Sequence, residues 1–188
     1  MTDGITILGI AGSLRQHSFN AALLNAVAAV APAGCTVDIA TIRGIPLYDG
    51  DVEAAAGVPA VVSALKDRLA AADGLLMVTP EYNNSMPGVF KNAIDWLSRP
   101  AEDIPRVFGG RPVALMGATP GGMGTAQAQT AWLPVLRALG MQPWFGGLLY
   151  VSGAHQEFDA TGTLLDEQLR ERLRIYMTGF AAFVQRRS

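Results

Sequence analysis

Apolar residues come in two kinds of block along this chain, and the kinds alternate. Ile5 to Ile10 is a short apolar run that breaks at Gly12 into hydroxyl, guanidinium and amide groups. From Ala21 onward Leu23, Leu24, Val27 and Val30 recur at helical spacing until Pro32 and Gly34 stop them. Cys35 to Ala40 alternates Val37 and Ile39 against Thr36 and Asp38, which predicts a second strand. Arg43 to Asp51, punctuated by Gly44, Pro46 and Gly50, reads as loop. The spacing of Val61, Val62, Leu65 and Leu69 then predicts a helix from about Val58 to Ala72. Leu75 to Thr79 is a continuous apolar run, the pattern of a central strand covered on both faces.

The second half repeats the alternation. Gly88 to Ser98 predicts a helix with Val89, Phe90, Ala93, Ile94 and Leu97 on its core stripe, leaving Trp96 off it. Pro112 to Ala118 reads as a fourth strand and Thr119 to Thr125 as a glycine-rich loop. A helix from about Thr125 to Leu139 follows, in which Pro134 removes a backbone donor and is expected to bend or split it. A fifth strand is expected over Gly147 to Val151, then a surface loop holding His155. The final helix carries Leu165, Leu169, Leu173, Tyr176, Met177, Phe180 and Val184 at three- and four-residue intervals, with Arg170, Glu171, Arg172 and Arg174 toward solvent.

Five strands alternating with five helices predict an α/β fold, a three-layer sandwich around a parallel sheet, because parallel neighbours need crossover helices. Ligands of such sheets sit beyond the carboxyl ends of the strands, where strand order reverses. The loops after the first, third and fourth strands all open on that edge. With 188 residues and no linker or repeat, the expectation is a single domain over 1–188. A net charge of −2 and dispersed basic residues argue against nucleic acid as a partner, and no apolar run is long enough for a membrane span. The lone Cys35 forms no intrachain disulfide and reads as core filler; with no basic region ahead of Ile5, the expected location is cytoplasmic.

Candidate chemistry concentrates in two loops. In Gly12-Ser-Leu-Arg-Gln-His-Ser-Phe-Asn, the Ser13 and Ser18 hydroxyls, Arg15, Asn20 and the free amides of a helix start suit an anion. The loop lacks both the Gly-Lys-Ser/Thr of a triphosphate site and the G-x-G-x-x-G of a dinucleotide fold, so a monophosphate fits better. The same residues also suit a plain helix cap with Arg15 in solvent. Thr79-Pro-Glu-Tyr-Asn-Asn-Ser-Met-Pro-Gly is polar, bounded by prolines and carries Tyr82. It suits a planar heterocycle, or else a rigid connector with an Asx-type turn at Asn83 or Asn84 and Glu81 as an exposed carboxylate. His17 and His155 are far apart, so neither a metal cluster nor a Ser-His-Asp site is visible, and the chemistry is assigned to a cofactor rather than to a catalytic side chain.

These motifs together resemble the NADPH-dependent FMN reductase family, flavodoxin-like flavoproteins that include quinone, chromate and azo-dye reductases. The resemblance rests on Gly12-Ser-Leu-Arg-x-x-Ser-x-Asn, on Thr79-Pro-Glu-Tyr-Asn with Pro87-Gly-Val-Phe-Lys-Asn-Ala-Ile-Asp-Trp-Leu-Ser-Arg-Pro, and on the later glycine loop. It implies a flavodoxin-like strand order 2-1-3-4-5, noncovalent FMN, NADPH or NADH as electron donor, and a homodimer or homotetramer. By matching position, Ser13, Arg15, Ser18, Phe19 and Asn20 would hold the FMN phosphate. Pro80, Glu81, Tyr82, Asn83 and Asn84 would border the isoalloxazine, with Thr119 and Gly121 approaching from the glycine loop. Pro120 and Thr125 depart from the smaller residues that relatives carry. The implied activity is two-step, hydride from NAD(P)H to FMN and then electrons to a quinone, chromate, an azo dye or free flavin. An electron-carrier flavodoxin and a flavin-binding regulatory protein without turnover are the alternatives. Assembly is also suggested by Trp96 lying off its core stripe and by Trp132 and Trp144 near the same edge.

Overall fold

A computed structural model describes residues 4–186. Met1–Asp3, which bear on the export reading, lie outside the described residues. Five strands form one parallel path in the order β2-β1-β3-β4-β5: β1 Ile5–Ala11, β2 Cys35–Ala40, β3 Gly74–Val78, β4 Pro112–Ala118 and β5 Gln142–Pro143. A sixth, β6 Tyr150–Val151, pairs with the end of β4. This is the flavodoxin-like order implied by the resemblance. The expected fifth strand, Gly147 to Val151, is instead two short pieces flanking Trp144 to Leu149, because Gly146 and Gly147 leave the sheet to wrap the Trp144 ring.

Strand β3 is buried along its whole length, and its alternation sorts the core into two layers. Leu76 and Val78 join Ile5 and Ile7 under α1 (Phe19–Ala29) and α8 (Glu167–Gln185). Leu75 and Met77 join Leu8 and Ile10 on the other face, under α3 (Ala60–Ala71), α4 (Gly88–Leu97) and α6 (Ala126–Ala138). Each such side chain taken fully out of water contributes about 1.5–3 kcal/mol before chain entropy is charged against it.

The helix count exceeds the expected five. Additional helices are α2 (Gly50–Ala56), α5 (Ile104–Val107) and α7 (Ala154–Glu157), with a 3-10 turn at Ala101–Asp103. Helix α2 starts inside the stretch expected to be loop: Asp49 caps it by accepting from the Asp51 amide at 2.9 Å, and it buries no residue, so it leaves no apolar period to detect. His155 belongs to α7 rather than to a loop. Helix α6 runs unbroken through Pro134. The ring lies on the exposed side, and the carbonyl it leaves unpaired belongs to exposed Thr130, where water can serve it.

Four positions were sorted wrongly by periodicity alone. Val89, expected on the core stripe of α4, is 36% exposed. Val61 is 39% exposed, whereas Lys66, five residues on, is buried and paired with Asp103 at 2.5 Å. Leu165 is exposed and precedes α8, which starts after its Asp166 cap. Trp96 is wholly buried, because the loop after β2 folds over α4 and gives that helix a second covered face. Its Nε1 donates to the Pro46 carbonyl at 2.9 Å, and its ring meets Tyr48 edge-on at 5.0 Å. Trp132 is likewise buried, and Trp144 packs against Tyr176 and Phe180 at 4.9 and 5.7 Å. None of the three tryptophans is the free aromatic surface expected to mark an assembly interface. Cys35 packs at the core edge, where burial and then nearby Asp73 push its thiol up to about 11.

Candidate cofactor site

Three loops leave the carboxyl ends of β1, β3 and β4 and meet around one cavity of about 370 Å³. The first supplies Ser13, Arg15, Ser18, Phe19 and Asn20, the second Pro80, Glu81 and Tyr82, and the third Ala118, Thr119 and Pro120. Nine of the twelve residues expected to contact a cofactor therefore line one cavity.

The first wall is a helix start with its donors in place. Ser18 is the N-cap of α1, its Oγ accepting from the Ala21 amide at 3.3 Å and its carbonyl from the Ala22 amide at 2.9 Å. The amides of Phe19 and Asn20, one turn earlier, have no partner within a helix, so they are donors available to an anion at the positive end of the helix. Upstream, the Ser13 Oγ accepts from the Arg15 amide at 3.3 Å, turning the loop back on itself. Arg43, not anticipated, donates to the Leu14 carbonyl at 2.6 Å and fastens this loop to the one after β2. Gly12 allows the loop its close passage, since a Cβ there would fall 2.1 Å from Cδ1 of Phe90.

Asn20 takes a different part from a simple phosphate ligand. It is buried, its Nδ2 donates to the Ala118 carbonyl at 2.8 Å and its Oδ1 accepts from the Ala118 amide at 2.9 Å. The side chain thus joins the start of α1 to the end of β4 and leaves its backbone amide to the cavity.

The second wall departs from expectation at its tip. Tyr82 and Ser85 exchange two backbone hydrogen bonds of 3.0 Å, and Asn83 and Asn84 between them have φ of 50° and 59°. Two consecutive left-handed residues make a tight primed-type hairpin, and asparagine tolerates that backbone region better than most residues. Asn83 and Asn84 sit exposed at this tip and do not line the cavity; the turn reading of these two residues describes them better. Glu81 is not a free carboxylate either: its Oε2 accepts from the Ala128 amide at 3.0 Å, capping α6 from another loop. Beneath it, buried Thr79 donates to the Pro80 carbonyl at 2.9 Å and accepts from Trp132 Nε1 at 3.1 Å.

The third wall is fixed by backbone. The Thr119 amide donates to the Val151 carbonyl at 2.9 Å, and the Thr119 carbonyl accepts from the Ala154 amide at 3.0 Å. Gly121, expected beside the ligand, lies outside the cavity lining, since its amide turns to Thr119 Oγ1 at 3.3 Å. Thr125 closes the loop with φ of 68°, a costly region for a β-branched residue, held by Gln129 Nε2 donating to its Oγ1 at 3.1 Å. Ala118 and Pro120 are lining residues that were not anticipated as contacts. A small residue at the end of a strand carries no chemical signal, so Ala118 was invisible as a site residue.

A helix start with free amides, two hydroxyls and one guanidinium, facing a flat wall with an aromatic ring, can seat a phosphorylated planar cofactor. The family model described as NADPH-dependent FMN reductase matches residues 5–156. The chain is 44% identical over 186 residues to an NAD(P)H-dependent FMN reductase of Pseudomonas aeruginosa, covering 99% of this chain and 98% of that protein. A 2-hydroxy-1,4-benzoquinone reductase from a Burkholderia species is 41% identical over 183 residues, covering 97% and 98%. Among solved structures, the flavoenzyme NAD(P)H:(acceptor) oxidoreductase FerB of Paracoccus denitrificans superposes with a TM-score of 0.86 at 32% identity, covering 97% of this chain and 98% of its own. The chain belongs to the NADPH-dependent FMN reductase family.

Proposed function

We propose that this single FMN-binding domain reduces quinones with electrons taken from NADPH or NADH. The observation that carries the reading is the convergence of the three loops on one cavity that starts at the free amides of α1 and ends at Tyr82. The residues present fit FMN. The amides of Phe19 and Asn20, with the Ser13 and Ser18 hydroxyls and the Arg15 guanidinium, would hold its phosphate. Pro80, Glu81 and Tyr82 on one side and Thr119 on the other would bound its ring. When bound, the flavin supplies the redox chemistry, accepting hydride and passing electrons on.

The chain's own residues position and select. Glu81, tied to α6, holds the Pro80 to Tyr82 backbone at fixed distance from the glycine loop. Tyr82, 43% exposed, gives a flat apolar surface beside an open entrance, which suits a planar acceptor such as a benzoquinone. The benzoquinone-reducing relative supports that acceptor class. A cytoplasmic setting accords with the supply of NAD(P)H.

Assembly as a homodimer or homotetramer is part of the proposal, on different grounds from the tryptophans. A groove open to solvent runs between α4 and α6, lined by Ile94, Pro134, Val135, Ala138 and Leu139 together with Ser98 and the Lys91–Asp95 ion pair, and two such faces can close on each other. Light scattering of the wild type and of Ala138→Glu tests it: a wild-type monomer at micromolar concentration rejects the assembly.

Stopped-flow mixing tests the activity. FMN-loaded protein should lose its flavin absorbance on mixing with NADPH or NADH and recover it when a benzoquinone follows. Chromate, an azo dye and free flavin form the comparison panel. Slow bleaching with both nucleotides would sink the reductase reading in favour of a carrier or regulatory role.

A further inference from the structure

A second cleft, of about 480 Å³, lies on the far side of the α1 start and shares Ser18 and Phe19 with the FMN cavity. We propose that this cleft takes the adenylate half of a flavin dinucleotide, so that the protein accepts FAD as well as FMN. The inference rests on the FMN reading of the first cavity.

The argument begins with connectivity. FAD is FMN extended through its phosphate to AMP. The phosphate is the group placed at the α1 start, and the residues there are the wall between the two cavities. Because Ser18 and Phe19 line both cavities and Tyr82 only the first, a chain extended from that phosphate past these two residues would enter the second cleft.

The lining then matches an adenosine in kind. Gln16, His17 and Asn25 are exposed at the cleft, and no hydrogen bond engages their side chains among the described residues. Phe158 packs on Phe19 with ring centroids 6.3 Å apart, giving the cleft an apolar aromatic base on which a purine can lie. Opposite stands a structured hairpin. Its residue Asp159 accepts with Oδ1 from the Thr161 amide at 2.8 Å, the Thr161 hydroxyl at 2.7 Å and the Thr163 amide at 2.8 Å. These three bonds all go to Oδ1, and the Gly162 amide is a further, weaker donor to the carboxylate. Gly162 at the hairpin tip rests against α1, where an added Cβ would lie 3.3 Å from that of Ala22, so the cleft has a fixed width.

An exposed carboxylate whose strong hydrogen bonds all fall on one oxygen is suited to the paired hydroxyls of a ribose on the other. Hydrogen bonding from the Thr161 hydroxyl, then from the Thr163 amide, keeps Asp159 below the usual carboxylate range, hence charged at neutral pH. That charge opposes a ribose 2′-phosphate, which sets the adenylate of FAD apart from that of NADPH. A nicotinamide ring must also stack at the Tyr82 end to deliver hydride, remote from this cleft.

Calorimetric titration of apoprotein with FMN and with FAD is the test. FAD should bind within about tenfold of FMN. Asn25→Trp, which fills the cleft from the exposed side of α1, should weaken FAD by at least about tenfold and leave FMN unchanged. Asp159→Asn, which keeps the Oδ1 acceptor of the hairpin, should weaken FAD by about tenfold by removing a charge-assisted hydrogen bond. Equal FAD affinity in wild type and both variants overturns the inference, because the adenylate then lies outside the cleft. So does a rise in the KM for NADH in Asn25→Trp with FAD binding unmoved. If FMN itself does not bind, the reading of the first cavity fails first, and the two failures are told apart by that titration alone.

Discussion

Asn20 and Ala118 exchange two hydrogen bonds, 2.8 Å from Nδ2 to the carbonyl and 2.9 Å from the amide to Oδ1. Residues 98 positions apart in sequence are thereby locked together in the lining of the cavity between the three loops. Replacing the side chain with Ala leaves both backbone groups of Ala118 buried and unpaired, at about 1–3 kcal/mol for each such group. Asn20→Ala should therefore lower the thermal midpoint and weaken FMN together. A variant with an unchanged melt but impaired FMN binding would instead make Asn20 a direct ligand.

Gly117 stands in the strand just before Ala118, and a Cβ there would lie 2.1 Å from the Thr79 carbonyl oxygen and 2.2 Å from Thr125 Oγ1. The first of these is main chain just past the end of β3 and cannot rotate away as a side chain can. Gly117→Ala should cost at least about 1–3 kcal/mol by overpacking, read as a lower midpoint in urea. Wild-type stability in that variant would show that β3 and β4 separate more easily than their pairing implies.

Glu81 reaches from the loop after β3 to the Ala128 amide at 3.0 Å. Glu81→Ala should destabilise by about 1 kcal/mol through the lost cap, and loosen the Pro80 to Tyr82 backbone. Denaturant melts and FMN titration check the two effects separately, and Glu81→Gln, which keeps an acceptor, should recover part of each.

Acid should act through Glu53 and Asp103. Burial works against the Glu53 carboxylate, but hydrogen bonds from Tyr48 and Arg99 outweigh it and hold its pKa below the ordinary 4.5. A hydrogen bond from Lys66, then one from Arg106, likewise holds Asp103 below 3.8. With folded values depressed, the unfolded chain binds more protons in between. The stabilisation is thus complete above the ordinary values and lost as pH falls through the depressed ones. Thermal melts should be flat through the neutral range and drop below about pH 4.5, and Glu53→Gln should flatten the upper part of that fall. An unaltered acid profile in Glu53→Gln would remove it from the account.

Periodicity found what depends on neighbours in sequence. The strands Cys35–Ala40 and Pro112–Ala118 were legible to the residue, since each shows one uninterrupted pattern bounded by turn residues. The start of α1 was legible because a helix start needs a capping side chain, and Ser18 is one. Short helices such as α2 and α7 escaped because they bury too little to leave a period.

What the sequence alone determined, then, was the alternation of strand and helix and the chemical kind of the loops between them. Which residues of those loops face a ligand was decided by tertiary structure, because that depends on contacts between distant segments. Asn83 and Asn84 turn outward with the hairpin backbone, Asn20 turns inward to Ala118, and Glu81 is taken up by a helix nearly fifty residues on. Trp96 shows the same rule in the core: its helix presents it as uncovered, and only the loop folded over from β2 buries it.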